Sequence, residues 1–128
     1  MSAKRSVVVV LTHGKSDNGK SATLAFSCAM SGLALGSEAV VFLTGDGAVW
    51  GYTGSAEQIV VQGFPPLSEL IDEFAEAGGR LLLCSVCHRT CSAGSPHALP
   101  TDSMLSTVEI AGFTTLLEIA DRGVCLTF

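Results

Sequence analysis

The residues of this chain that most clearly favour chemistry are three cysteines within eight positions, in the segment CSVCHRTCSAG. They are Cys84, Cys87 and Cys91. The thiolate is the reactive form of cysteine, and backbone N–H groups and nearby cations such as Arg89, or His88 when protonated, stabilise it. The spacing therefore predicts thiol chemistry in which one sulfur attacks and a second one assists release, as persulfide transfer and thiol redox require.

Two other interpretations of the cysteine cluster stay open. Free cysteine packs readily as a small hydrophobe, so the three thiols could be purely structural. The run C-x2-C-x3-C could also complete a zinc site with His88 or His97, or hold three corners of an iron–sulfur cluster. The chain has no second CxxC pair, which structural zinc sites usually contain. A metal-binding or structural oligomeric module is therefore the alternative function, whereas the leading one needs no metal or cofactor.

A second motif, GKSDNGKS at residues 14–21, matches the phosphate-loop pattern GxxxxGK[ST] and lies between a predicted strand and a predicted helix. In that interpretation Lys20 contacts the β- and γ-phosphates and Ser21 holds magnesium. Asp17 opposes it, because a carboxylate inside the loop repels phosphate. The residues favour a turn capped by the Asp-Asn-Gly stretch, with nucleotide binding as the third alternative.

Other residues near the predicted loops are open to functional or structural interpretation. His13 follows the first predicted strand and could face the cysteines as a proton donor or acceptor, or be a solvated turn residue. Trp50 and Tyr52 lie in the Gly-rich segment 45–57, which we expect to be an irregular loop. We expect both aromatic residues to fill a subunit interface rather than to cover the site.

The hydrophobic pattern alternates between strands and helices. Short β-branched runs without polar alternation predict parallel strands buried on both faces, and apolar residues at helical spacing predict helices between them. The predicted strands are residues 6–12, 39–44, 80–84, 108–110 at an edge and 124–128, and the predicted helices are 21–35, a helix that Pro65 and Pro66 open, and 112–121. This order indicates a three-layer α/β/α fold with a mostly parallel sheet. The loops 13–20, 45–57 and 85–94 should then converge at its carboxyl edge.

Composition sets the class of protein. The 128 residues are the size of a single domain, residues 1–128. They are 48% hydrophobic and only 15% charged, which favours a buried subunit interface and hence a homo-oligomer. The net charge of -5 argues against nucleic acid as a partner, and no apolar run reaches the ~18 residues of a membrane span.

Cysteine usage and the N-terminal residues bear on location. Near its start the sequence has two cations and then a short apolar run without a signal-cleavage pattern, and the five cysteines are an odd number. Both observations favour a reducing, cytoplasmic setting with reactive thiols over a disulfide framework. Cys28 and Cys125 lie in apolar segments, and we expect them in the core.

Blocks along nearly the whole chain resemble the DsrE/DsrF-like family of small sulfur-relay proteins, particularly its peroxiredoxin-like branch. They are VVVLTHG followed by ATLAF, then VVFLTGDGAVW, GFPPLSELIDEFAEAGG, RLLLCSVC and VEIAGFTTLLEIADRG. The resemblance implies a five-stranded parallel sheet between helices, assembly as trimers or hexamers, and a cysteine at the end of strand three that carries persulfide sulfur. By motif position Cys84 takes that role, and Cys87 matches the second cysteine of members with CxxC.

The leading hypothesis is a sulfur-relay or thiol-redox protein in which Cys84 accepts sulfane sulfur as a persulfide. Cys87 or Cys91 then assists release, and His13, His88 or Arg89 favours the thiolate. Such a protein works with sulfur-donor and sulfur-acceptor proteins, and whether it turns over as an enzyme stays open. The sequence departs from the resemblance in having Cys91, and in having TCSAG where Arg-Gly is common.

Overall fold

A parallel sheet forms the centre of the chain. The computed structural model describes residues 5–91 and 104–128, except for the side chains of residues 89–91. In this part of the chain the strands are β1 (Ser6–Leu11), β2 (Glu38–Leu43), β3 (Arg80–Cys84), β4 (Val108–Ala111) and β5 (Gly123–Thr127). They lie in the order β4-β3-β2-β1-β5, and each neighbouring pair is parallel. The predicted α/β fold with five parallel strands is confirmed.

In the described ranges, 5–91 and 104–128, four α-helices and two 3-10 helices connect the strands. The α-helices are α1 (Lys20–Ala34), α2 (Leu67–Glu76), α3 (Ser85–Cys91) and α4 (Phe113–Ala120), and the 3-10 helices are Lys15–Asp17 and Gly45–Gly51. The predicted bounds agree closely with those of α1, α2 and α4. The helix α2 begins directly after Pro66, which supplies no N–H and is suited to that place. It ends before Gly78, whose φ of +96° favours glycine.

Helices cover both faces of the sheet. Alternate residues along each strand point to opposite faces, so the same strands supply two cores. The first core packs strand residues such as Val9 and Val41 against α1 and α2, where the Phe26 and Phe74 rings meet edge to face at 5.7 Å. The second core packs Val8, Val40, Phe42, Leu82 and Cys84 against Ile119 of α4. This arrangement is the expected three-layer architecture.

The segment after β2 differs from its sequence expectation. Residues 45–51 form a 3-10 helix rather than an irregular loop. Gly47 lets this helix pack closely on the end of β1, since a Cβ at that position would collide with the carbonyl oxygen of Leu11. The N–H of Gly47 donates to the carbonyl oxygen of Thr12 at 3.1 Å. Glycine here permits close packing, which a pattern of turn-forming residues does not reveal.

Three side chains lie elsewhere than the sequence suggested. Trp50 and Tyr52 are buried within this chain, so the expectation that they fill a subunit interface is wrong. Both belong to the α1 and α2 core, and the indole N–H of Trp50 donates to the carbonyl oxygen of His13 at 2.8 Å. Cys125 is exposed rather than in the core, because β5 is an edge strand, whereas Cys28 packs at the border of the first core.

None of the helices within residues 5–91 and 104–128 has both the length and the apolar character that crossing a bilayer demands.

Candidate functional site: a thiol pair at the carboxyl edge of the sheet

Cys84 and Cys87 lie where the two cores meet at the carboxyl edge of the sheet. Cys84 is the last residue of β3, and α3 begins at the next residue. Its side chain belongs to the α4 core and the residue is only 1% exposed. Cys87 is half-buried and packs against both cores. The pair thus consists of a buried cysteine, Cys84, and a more accessible one, Cys87.

Hydrogen-bond donors surround the sulfur of Cys84. Burial by itself raises the pKa of this thiol, because it disfavours the charged form. The N–H of Cys87, the hydroxyl of Thr44, the N–H of Val86 and the thiol of Cys87 all donate to this sulfur, and together they outweigh burial. The pKa of Cys84 therefore lies below that of an ordinary cysteine, and the site favours a thiolate there.

Cys87 has the opposite tendency. Burial is the largest contribution and raises its pKa, and the neighbouring Cys84 sulfur raises it further. The hydroxyl of Thr44 at 3.6 Å and the N–H of Gly45 at 3.1 Å act in the other direction but do not overcome these effects. The two thiols titrate as a linked pair in which Cys84 holds the charge and Cys87 keeps the proton.

Thr44 is a site residue that the sequence did not reveal. It follows β2 directly, and because β2 is the neighbour of β3, its hydroxyl reaches the sulfurs of both Cys84 and Cys87. One hydroxyl hydrogen can serve one sulfur at a time, and the thiolate attracts it more strongly. A polar residue at the end of an apolar strand was the available signal, but its meaning depends on the order of the strands.

The chain matches a known protein family over nearly its whole length. The model of the DsrE/DsrF-like family matches residues 5–128, nearly the whole chain. The chain belongs to the DsrE/DsrF-like family. A comparison with curated proteins found no match. The crystal structure of the ychN protein from E. coli is similar, with a TM-score of 0.66, 20% sequence identity, and coverage of 98% of this chain and 100% of that one. At that identity the likeness shows the fold alone.

Membership of the DsrE/DsrF-like family supports a sulfur-relay function in general. Cys84 is the last residue of β3, the place where the resemblance expects a carrier cysteine, and that role stays a prediction. The remaining candidate residues differ in how closely the structure connects them to this thiol.

His88 lies beside the thiol pair on α3 and has an aromatic partner. Its Nδ1 is 3.1 Å from the hydroxyl oxygen of Tyr52, and the two rings stack at 6.5 Å with an interplanar angle of 15°. Tyr52 is buried, so it fixes the orientation of the imidazole next to Cys87. Tyr52 therefore belongs to the surroundings of the thiols and not to the expected subunit interface.

The structure does not test the roles predicted for His13, Arg89 and Cys91, and these roles stay predictions. The ring of His13 is exposed, its Nδ1 lies 3.4 Å from the hydroxyl of Thr12, and its positive charge lowers the pKa of Asp17. Arg89 and Cys91 belong to α3, but their side chains lie outside the described residues.

The phosphate-loop motif folds as the capped turn that its residues favoured. Asp17 ends the first 3-10 helix, and its carboxylate accepts hydrogen bonds from the N–H of Gly19 at 3.1 Å and of Ser21 at 2.9 Å. Asn18 and Gly19 both have positive φ, as a tight left-handed turn requires. Two of the N–H groups that would bind a phosphate therefore already have a carboxylate partner from the same chain.

The metal interpretation receives no support from the described residues. Among these, no group of three or more His, Cys, Asp or Glu side chains is arranged to hold a metal ion. His97, which the zinc interpretation offers as a ligand, lies outside the described residues, as does the side chain of Cys91.

Proposed function

We propose that this DsrE/DsrF-like protein is a sulfur-relay or thiol-redox protein that carries sulfane sulfur as a persulfide on Cys84. The observation that supports this most is the set of donors around the Cys84 sulfur, two backbone N–H groups and the Thr44 hydroxyl, with a second thiol in contact. These groups lower the pKa of Cys84 and so favour its thiolate, which is the nucleophile that accepts sulfur.

The transfer of sulfur to Cys84 needs only the Cys84 thiolate and a donor persulfide. The thiolate of Cys84 attacks the outer sulfur of a persulfide on the donor, and the bond between the two donor sulfurs breaks. The donor leaves as a thiolate that takes the bonding electron pair, and Cys84 keeps the transferred sulfur. The carrier is restored when an acceptor thiolate removes that sulfur in the same way.

The burial of Cys84 bears on the kind of partner. Because this residue is 1% exposed and Cys87 lies beside it, we propose that sulfur-donor and sulfur-acceptor proteins deliver and remove the sulfur. The net charge of -5 makes nucleic acid an unsuitable partner. A reducing cytoplasm suits these functions, since it keeps the cysteines as free thiols.

Mass spectrometry after anaerobic incubation with a persulfide donor tests the carrier. We use a Cys87→Ser background, in which the neighbouring thiol cannot remove the bound sulfur and a hydroxyl still donates to Cys84. The chain should gain the mass of one sulfur atom on Cys84, and Cys84→Ser in that background should abolish the gain. Cys28→Ser is the matched control and should keep it. A gain that survives Cys84→Ser removes Cys84 from this role.

We also propose that the protein is a homo-oligomer, a trimer or a hexamer. The outer face of α4 is apolar, with Phe113 55% and Leu117 68% exposed on this chain. A second copy of the same charge-poor chain offers an equally apolar surface to cover it. Light scattering tests the assembly: Leu117→Glu should reduce the particle mass to that of one chain. Leu35→Glu, at an 85% exposed position after α1, should not.

A further inference from the structure

We propose that the persulfide on Cys84 is released within the same chain. Cys87 attacks the inner sulfur of this persulfide, releases hydrosulfide and closes a Cys84–Cys87 disulfide. This inference rests on the proposed persulfide at Cys84. It makes the protein a reductase of sulfane sulfur, with hydrosulfide as its product, in addition to a carrier.

Contact between the two thiols is the first observation that supports this step. The thiol of Cys87 donates to the sulfur of Cys84, and the hydroxyl of Thr44 lies 3.6 Å from the Cys87 sulfur while also donating to Cys84. The attacking group is therefore held against the sulfur that it attacks. A reaction between groups held in this way has a large advantage over the same reaction with a thiol from solution.

Access to the buried sulfur is the second observation. Cys84 is 1% exposed, and Cys87 is the half-buried residue next to it. An acceptor thiol from another molecule must approach a buried persulfide, whereas Cys87 is already in place. The intramolecular reaction should therefore compete successfully with outward transfer whenever no acceptor protein is bound.

The atoms and electrons of the step balance without an external reagent. When Cys84 carries the persulfide, its outer sulfur is anionic and Cys87 is a neutral thiol. The Cys87 proton moves to the outer sulfur, and the new thiolate receives a hydrogen bond from the N–H of Gly45, which lies 3.1 Å from it. This thiolate attacks the Cys84 sulfur, and the bond to the outer sulfur breaks.

Hydrosulfide leaves with the bonding electron pair and the transferred proton. The outer sulfur is thereby reduced by two electrons, and the two cysteine sulfurs are each oxidised by one as the disulfide forms. A dithiol reductant from solution reopens the disulfide and completes a turnover. The class of reaction that precedes this one must therefore supply sulfane sulfur, and the one that follows must consume sulfide.

The experiment measures sulfide and the state of one peptide after anaerobic loading with glutathione persulfide. Trypsin cleaves after Arg80 and Arg89, so peptide 81–89 contains Cys84 and Cys87 but not Cys91. The wild-type chain should release one sulfide per chain, and this peptide should lose the mass of two hydrogen atoms. In Cys87→Ser, sulfide release should fall by more than about a hundredfold, and the peptide should keep the added sulfur.

Matched variants separate this inference from the proposed function. Cys28→Ser should release sulfide as the wild type does. Cys91→Ser decides between the two thiols that could assist release, and a loss of release in Cys91→Ser overturns the assignment to Cys87. A wild-type chain that keeps its added sulfur and releases no sulfide overturns the inference but leaves the carrier intact. A Cys87→Ser chain that never takes up sulfur overturns the carrier instead. Circular dichroism and a second variant, Cys87→Ala, exclude misfolding as the cause.

Discussion

Two turns at the carboxyl edge of the sheet present backbone N–H groups to an acceptor, but the acceptors differ. In the turn between β1 and α1, the N–H groups of Gly19 and Ser21 donate to the carboxylate of Asp17. Helix α3 follows β3 directly, and in its first turn the N–H groups of Val86 and Cys87 donate to the sulfur of Cys84. One turn thus stabilises a carboxylate and the other a thiolate.

The chemical nature of the acceptor decides what each turn can do. A carboxylate that accepts two backbone hydrogen bonds is a fixed charge that caps the following helix. A thiolate in a comparable setting is polarisable and nucleophilic, and can form a bond to another sulfur. Of these two junctions between a strand and a helix, only the one whose N–H groups have a reactive acceptor is therefore suited to chemistry.

Removal of the Thr44 hydroxyl should have the largest effect on the thiolate turn. Thr44→Val takes away a donor to the Cys84 sulfur, which disfavours the charged form and raises the pKa of Cys84. Loading with persulfide at neutral pH should become about tenfold slower, since a hydrogen bond to a charged group is worth roughly 1.5 kcal/mol or more. The rate should recover as the pH rises, because a higher pH restores the thiolate.

Thr12→Val is the matched control for this change. Thr12 follows β1 as Thr44 follows β2, but its hydroxyl donates to the carbonyl oxygen of Phe128 at 3.0 Å. Its substitution should leave the pH profile of loading in place, even if the chain loses stability. Equal shifts of the profile in both variants would show that the Thr44 hydroxyl has no particular influence on Cys84.

Removal of the carboxylate should have a smaller effect, and on stability rather than reactivity. Asp17→Ala leaves the N–H groups of Gly19 and Ser21 without their carboxylate partner at the start of α1. The free energy of unfolding should fall by about 1 kcal/mol, as for the loss of a helix cap. Urea denaturation measures it, with Ser16→Ala in the same turn as the control. Persulfide loading of the folded variant should be unchanged.

The contribution of Asp17 should also depend on pH. Burial raises the pKa of this carboxyl, but hydrogen bonds from Ser21 and Gly19 and the charge of His13 outweigh it and lower the pKa. A lowered pKa in the folded state means that the stabilisation is complete above the unfolded pKa of about 3.9 and is lost as the pH falls through the folded value. The difference between wild type and Asp17→Ala should therefore shrink below about pH 4. A difference that stays constant there contradicts a role for the charged carboxylate.

The sequence predicts the strands and helices better than it predicts which residues surround the thiols. The apolar run at 80–84 lacks polar alternation and so predicts a strand buried on both faces, and β3 has these bounds. The role of Thr44 was not predictable, since it follows from β2 lying next to β3, a long-range property. Tyr52 was misplaced for a similar reason: only the packed 3-10 helix at 45–51 brings it to His88.

The smallest expected effect is an absence of nucleotide binding at the carboxylate turn. Calorimetry with ATP and magnesium should give no saturable heat, although residues 14–21 match the phosphate-loop pattern letter for letter. A phosphate would have to displace the Asp17 carboxylate from two N–H groups and then lie beside that negative charge. Lys20→Ala should accordingly change nothing. Saturable heat that Lys20→Ala abolishes would show that a built-in carboxylate can give way to a ligand, and would break the distinction between the two turns.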